Sequence, residues 1–363
     1  MTPNRVVLDG VPRVGYHAEG RRWSYHFSPW AGCLAACMAY LGEDISYHHV
    51  VGTSGMGFRL LWNSQSWDLG NVGDLQMGSA EPYRRTFATT GYTCELLYNG
   101  KQRFGDLVGF LGPSLDRETL RQRIVESIAD AGQPVIAWGV VGPPEACVIT
   151  GYDEGGDVLV GWSHFQDNPS EFPEQDLEPS GAFRRRDWFQ HTLGLVLIGD
   201  KQEKPPLSET YRSALEWALQ VVRTPMVDQH YNGLRAYEGW AEFMRREEDI
   251  QDDKEALELR KGCLYDAMCM VAEREKAAAF LQEMAAHEPG IAMALEAAVD
   301  CYTREVNCLG QIHAATDGFI RSDEQLRKLG DPEARERIAQ TILEGRVLDA
   351  EAADLLEQAL KAG

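Results

Sequence analysis

Long apolar runs are missing from this chain of 363 residues. Its most hydrophobic stretches, such as "PVIAWGVVG" (134–142), fall far short of the ~20 residues that span a bilayer. Basic charge is scarce: 35 Lys and Arg stand against 56 Asp and Glu, a formal net charge of -21. A surface of that sign repels nucleic acid and anionic membrane, so neither is expected as a partner. The eight cysteines contain no CxxC pair, which removes the common zinc and dithiol signatures and leaves reduced, mostly buried thiols. The glycines form neither a Walker nor a dinucleotide fingerprint. No N-terminal stretch has the basic, apolar and cleavage regions of a signal peptide. These absences lead us to expect a cytoplasmic protein without a cofactor.

What is present changes style near "GDKQEKPPLSET" (199–210). Glycines, tryptophans and strand-like runs dominate before it; Ala, Glu, Leu and Arg at helical spacing follow. A charged linker with two prolines suits a boundary between units. The expected division is an α+β domain over 1–200, a linker over 201–206 and an all-α helical bundle over 207–363. The bundle segments are 207–223, 229–247, 253–287, 290–316 and 323–361.

In the first part, Ser28-Pro29 signals a helix start, because serine caps free amides and proline suits the first helical position. Trp30, Cys33, Leu34, Cys37, Met38 and Leu41 follow as one apolar stripe, and Gly42 ends it. A second amphipathic helix is expected over 116–131. "QPVIAWGVV" (133–141), "ACVITGYDEGGDVLVGW" (146–162) and "HTLGLVLIG" (191–199) read as strands, the middle one a hairpin turning at Glu-Gly-Gly-Asp. One early helix followed by an antiparallel sheet gives the α+β class.

Three constellations carry candidate chemistry. On the first helix, Cys33 lies a turn inside the N-terminus, where amides are already bonded, so it reads as a structural thiol before a nucleophile. "GTSGMGFRLLWN" (52–63) reads as a glycine-rich loop entering a strand, with Ser54 and Phe58 able to approach a ligand. Glu145 opens an apolar strand directly after two prolines, a costly place for a carboxylate unless it is paired or functional. Trp162, His164 and Gln166 alternate at the end of the neighbouring strand. Metal binding through His48, His49 and His164 is not expected, because adjacent histidines in an extended segment point apart.

The motifs "AACMAYLG" (35–42), "GTSGMGF" (52–58), "GQPVIAWG" (132–139) and "EACVITGYD" (145–153) occur in an order that resembles a known pattern. Over about 20–200 the chain is similar to the papain-like fold of bacteriocin-processing-type cysteine peptidases, and more closely to the butirosin biosynthesis protein H family. "HYNGLRAYEGWAEFM" (230–244) resembles the helical domain that follows in that family. The resemblance implies a papain-like N-terminal domain and transfer of an acyl group from a carrier protein to an amine. This sequence departs from the family at each catalytic position: Pro29 stands in the nucleophile slot and Glu145 in the histidine slot. Gly161-Trp162-Ser163 occupies the place of the orienting Asp or Asn. A thiol mechanism needs all three roles.

The leading expectation is therefore a catalytically degenerate papain-like protein. It would bind a small molecule or peptide, one bearing an amine or other polar group, in a crevice between the Pro29 helix and the Glu145 strand. Trp30, Ser54, Phe58, Glu145, Trp162 and Gln166 would line that crevice. The alternative is an acyltransferase or amide hydrolase using Cys33 as displaced nucleophile, Glu145 or a histidine as base and an acyl carrier protein as partner. A homodimer through the helical domain is a third expectation.

Overall fold

The computed structural model describes residues 3–15, 26–67, 80–99, 114–142, 145–165, 177–227, 229–246, 253–315 and 322–363. In chain order its first elements are β1 (Val6–Val7), α1 (Pro29–Tyr40), α2 (Tyr47–Ser54), β2 (Leu61–Asn63), α3 (Glu81–Thr90), β3 (Tyr92–Tyr98) and α4 (Arg117–Val125). Strands β4 (Val135–Trp138), β5 (Ala146–Asp153), β6 (Val158–Ser163) and β7 (Phe183–Arg185), helix α5 (Trp188–His191) and strand β8 (Gly194–Lys201) follow. Then come α6 (Leu207–Arg223), β9 (Met226–Val227), β10 (His230–Asn232), α7 (Leu234–Arg245) and α8 (Lys254–Ala272). Last are α9 (Arg274–His287), α10 (Ala292–Ala315), α11 (Asp323–Gly330) and α12 (Pro332–Ala362). The chain divides into two compact units, one of Met1–Val50 with Gly73–Pro205, the other of Val51–Val72 with Pro206–Gly363.

The first unit is built on an antiparallel sheet in the order β3-β8-β4-β5-β6-β7, with β1 paired to the far end of β5. Alternation along the strands separates its two faces. Val135, Ala137, Cys147, Ile149, Leu195 and Leu197 join Leu120, Ile124 and Ile128 from α4 and the π-helical turn Glu126–Asp130 that prolongs it. The alternate positions face the other way. There Trp138 meets Tyr83 of α3 at 5.3 Å between ring centres, and Tyr83 meets Trp30 of α1 at 5.0 Å. Helix α1 packs on β4 and β5. The β5–β6 turn holds Glu154, Gly155 and Gly156 at φ of 51°, 67° and 99°, which explains the glycine pair in that hairpin. The expected helix and strands are present, and β3 and α3 add to them.

The second unit is helical with one small exception. Strands β2, β10 and β9 form an antiparallel three-stranded sheet, so the region after residue 207 is not purely α. Glu273 separates α8 from α9, and Asp331 caps α12 through Glu333, dividing two segments that the sequence read as continuous. The segment 51–72, expected in the α+β domain, belongs to this unit instead. An added Cβ on Gly52 would lie 2.2 Å from the Phe280 ring, so only glycine admits that approach. Trp217 donates its indole N–H to the Ser54 carbonyl at 2.7 Å, and Trp62 stacks on Trp240 at 5.9 Å.

One fully buried guanidinium organises that packing. Arg274 donates to the carbonyls of Gly57 and Arg59, each at 2.9 Å, and to Asp349 Oδ2 at 3.0 Å and the Tyr237 hydroxyl at 3.2 Å. Its Nε lies 3.7 Å from Glu305 Oε2, and Tyr237 donates its O–H to the other Glu305 oxygen. Arg274, Glu305 and Asp349 have no solvent exposure. Residues on α7, α9, α10 and α12 thus meet at one charged centre, where each ion has partners to replace water.

Candidate functional site

Helix α1 has two faces, and they differ in side-chain size. Trp30, Cys33, Leu34, Cys37 and Met38 fill the buried face. Gly32, Ala35, Ala36 and Ala39 recur at i, i+3, i+4 and i+7, a second face carrying almost no side chain. The helix begins as its sequence requires: Ser28 Oγ accepts the Ala31 N–H at 3.3 Å, and Pro29 takes the first turn. The chain entering it is fixed by Tyr47 at the start of α2. Its hydroxyl accepts the Ser28 N–H at 2.9 Å, and its ring stacks on His26 at 3.8 Å with planes 8° apart.

A cavity of about 290 Å³ opens along the small face. Gly32, Ala35, Ala36 and Ala39 form one wall, and Arg13, His26, Tyr47 and His164 supply the polar groups. His164 follows directly on β6 and is buried, and an added Cβ on Gly32 would lie 3.1 Å from its Nε2. The imidazole therefore sits close against the first turns of α1, where a side chain at position 32 would press on it. Arg13 is exposed at the rim, its guanidinium 5.6 Å from the centre of the Trp162 ring. This arrangement offers N–H and O–H donors around an apolar floor, which suits holding a ligand.

The residues expected to line one crevice do not gather there. Trp30 is buried in the aromatic row with Tyr83, and Ser54 and Phe58 lie in the second unit. The Ser54 hydroxyl donates to the Val51 carbonyl at 3.2 Å and accepts from the Met56 N–H, while the Phe58 ring packs 5.9 Å from Tyr302. Their glycine-rich stretch is the end of α2 and a 3₁₀ turn at Met56–Phe58, not a loop open to a ligand. Glu145 is half-buried at the head of β5, where its carbonyl accepts the Gly139 N–H at 3.0 Å. It does not line the cavity. Of the expected six only Trp162 adjoins it, through Arg13; Gln166 lies outside the described residues.

The thiol expected as a displaced nucleophile is sealed. Cys33 has no exposure, and on the same stripe burial pushes the Cys37 thiol far above its ordinary range. His48 and His49 are on helix α2 rather than in an extended segment, and His49 Nε2 is 2.9 Å from Thr89 Oγ1. Among the described residues no group of three or more His, Cys, Asp or Glu could hold a metal ion, and no helix is long and apolar enough to cross a membrane. Sequence reasoning passed over Arg13, His26 and Tyr47, which sit on no common periodic element. The Gly32–Ala39 spacing was the one legible signal for this wall.

No protein-family profile matches the chain, and no curated protein is significantly similar to it. The site is read from its own geometry.

Proposed function

We propose that the first unit is a papain-like scaffold that has given up thiol chemistry and binds a small molecule in the cavity beside α1. The observation that carries this reading is the division of α1: its cysteines turn into the core, while its glycine and alanine face opens on donors from Arg13, His26, Tyr47 and His164. A helix presenting only small residues lets a ligand lie close to the backbone, and the donors around it fix orientation. A protein confined to the cytoplasm fits the same reading. Acyl transfer through Cys33 has a fully buried thiol against it.

The test is a fragment screen by ligand-observed NMR on the native chain and on Ala35→Leu, which fills the cavity from a half-exposed helical position. Fragments that bind the native chain and lose binding in the variant, with the unfolding midpoint unchanged, support the reading. Fragments that bind both alike, or none at all, sink it. Iodoacetamide mapping adds an independent arm: adducts at Cys33 in the native protein would return the thiol mechanism.

A further inference from the structure

The charges around Arg274 do not balance. One guanidinium and two carboxyl groups, Glu305 and Asp349, are sealed from solvent together, and burial keeps the Tyr237 and Tyr302 hydroxyls protonated. Two ionised carboxylates would leave one uncompensated charge without water, far costlier than holding a proton. The hydrogen bonds say which group holds it. Asp349 Oδ2 accepts from Arg274 Nη2 at 3.0 Å, a charge-assisted bond that suits an ionised carboxylate. Glu305 receives only the Tyr237 O–H, and its Oε2 lies 3.7 Å from Arg274 Nε, too far for a hydrogen bond. Burial, and then the charge of Asp349, push the same carboxyl up.

Arg274 spends Nη1 on the carbonyls of Gly57 and Arg59, and Nη2 on Asp349 and Tyr237. That leaves its Nε–H without an acceptor, opposite a Glu305 Oε2 without a donor. We propose that this centre is a proton-operated latch on residues 56–63. With the proton on Glu305, Arg274 holds the chain on either side of Phe58 by its two carbonyls. When the proton leaves to solvent, the ionised Oε2 and the open Nε–H draw together across 3.7 Å. The guanidinium is planar and rigid, so moving Nε toward α10 carries Nη1 away from both carbonyls. Those carbonyls stand just before β2, whose Trp62 stacks on Trp240 of α7. The charged and titratable groups facing Glu305 are Arg274 from α9, Asp349 from α12 and Tyr237 from α7. Tyr302, Cys301 and Cys308 flank it on its own helix, and among the described residues α8, which also packs on α10, adds none.

The experiment is hydrogen exchange by mass spectrometry on the full chain from about pH 5 to 8, corrected for intrinsic rates. An opening that releases one proton becomes about tenfold more favourable per pH unit between the open and closed values of the carboxyl. Protection of 56–63 is therefore expected to fall by about tenfold per unit in the native chain and to stay level in Glu305→Gln. The segment is also expected to exchange ahead of α12, which the latch leaves packed. An infrared band of a protonated carboxyl in the native chain, removed by Glu305→Gln, is the second readout. A level native profile, an equal fall in the variant or the absence of that band overturns the latch. So does exchange of 56–63 in step with α12 at every pH, which would mean that the whole unit opens together. A Glu305→Gln chain that does not fold overturns it too, because the place of a neutral acid accepts a neutral amide of the same shape.

Discussion

Two gatherings of polar side chains occur in this protein, and they are unlike in kind. Around Arg274 the second unit collects one guanidinium, two carboxyl groups and two tyrosines, joined by hydrogen bonds from Arg274 to Asp349 and Tyr237 and from Tyr237 to Glu305. Along α1 the first unit collects an arginine, two histidines and a tyrosine, all able to donate, with no carboxylate on the described wall and space between them. Clustering alone does not mark a site. Opposite charges that meet within reach tie helices together; polar groups set around a cavity leave space between them.

The largest effect that would break this contrast is on the sealed side. Replacing Arg274 by Met leaves two buried carboxylates and two backbone carbonyls without their donor. It should cost about 3–5 kcal/mol, read by denaturant unfolding of the full chain. A loss below about 1 kcal/mol would mean that the cluster does not hold the unit together.

Next in size is a pH effect at Glu305. Burial first, and the charge of Asp349 second, raise this carboxyl above its ordinary value of 4.5, with Arg274 and the Tyr237 hydrogen bond opposing them. A raised folded-state value means the folded chain holds the proton more tightly than the unfolded one. The stability contributed is complete below about pH 4.5 and is lost as pH rises through the folded value. Glu305→Gln keeps the shape and removes the titration, so its stability should gain on the native protein between pH 5 and 8. Parallel curves for the two proteins in urea would show Glu305 ionised in both states.

On the open side the expected effect is smaller. Ser28→Ala removes the oxygen that caps α1 and should cost about 1 kcal/mol, measured by thermal or urea unfolding. The substitution leaves the Ser28 N–H bonded to the Tyr47 hydroxyl, so the His26–Tyr47 stack should be kept. The smallest change is Arg223→Ala, which breaks exposed pairs with Asp354 and Glu357 at 3.0 and 2.7 Å. Exposed pairs contribute about 0.2–1 kcal/mol, so an unfolding midpoint near that of the native chain is expected.

Much of the local structure was legible. Ser28-Pro29 starts α1, the Glu-Gly-Gly-Asp turn closes a hairpin, and one break between the two compact units falls at Pro206. The errors share one physical cause. Residues 51–63 look like a glycine-rich binding loop because glycines that admit a ligand and glycines that admit a Phe280 ring are written alike. Glu145 looked like a buried charge because it opens an apolar strand, but strand ends emerge from the core, and it is half-buried. Arg274 gave no signal at all: its partners at 57, 59, 237, 305 and 349 are far apart in sequence.

Local chain chemistry by itself determined where helices and strands begin and end, since caps, turns and side-chain periods act within a few residues. It also determined the acidic balance, a formal net charge of -21. Only the tertiary structure decided which glycines face a side chain and which face a cavity, and which arginine is sealed among carboxylates. Those outcomes depend on contacts between residues tens to hundreds of positions apart, and no local pattern encodes such a distance.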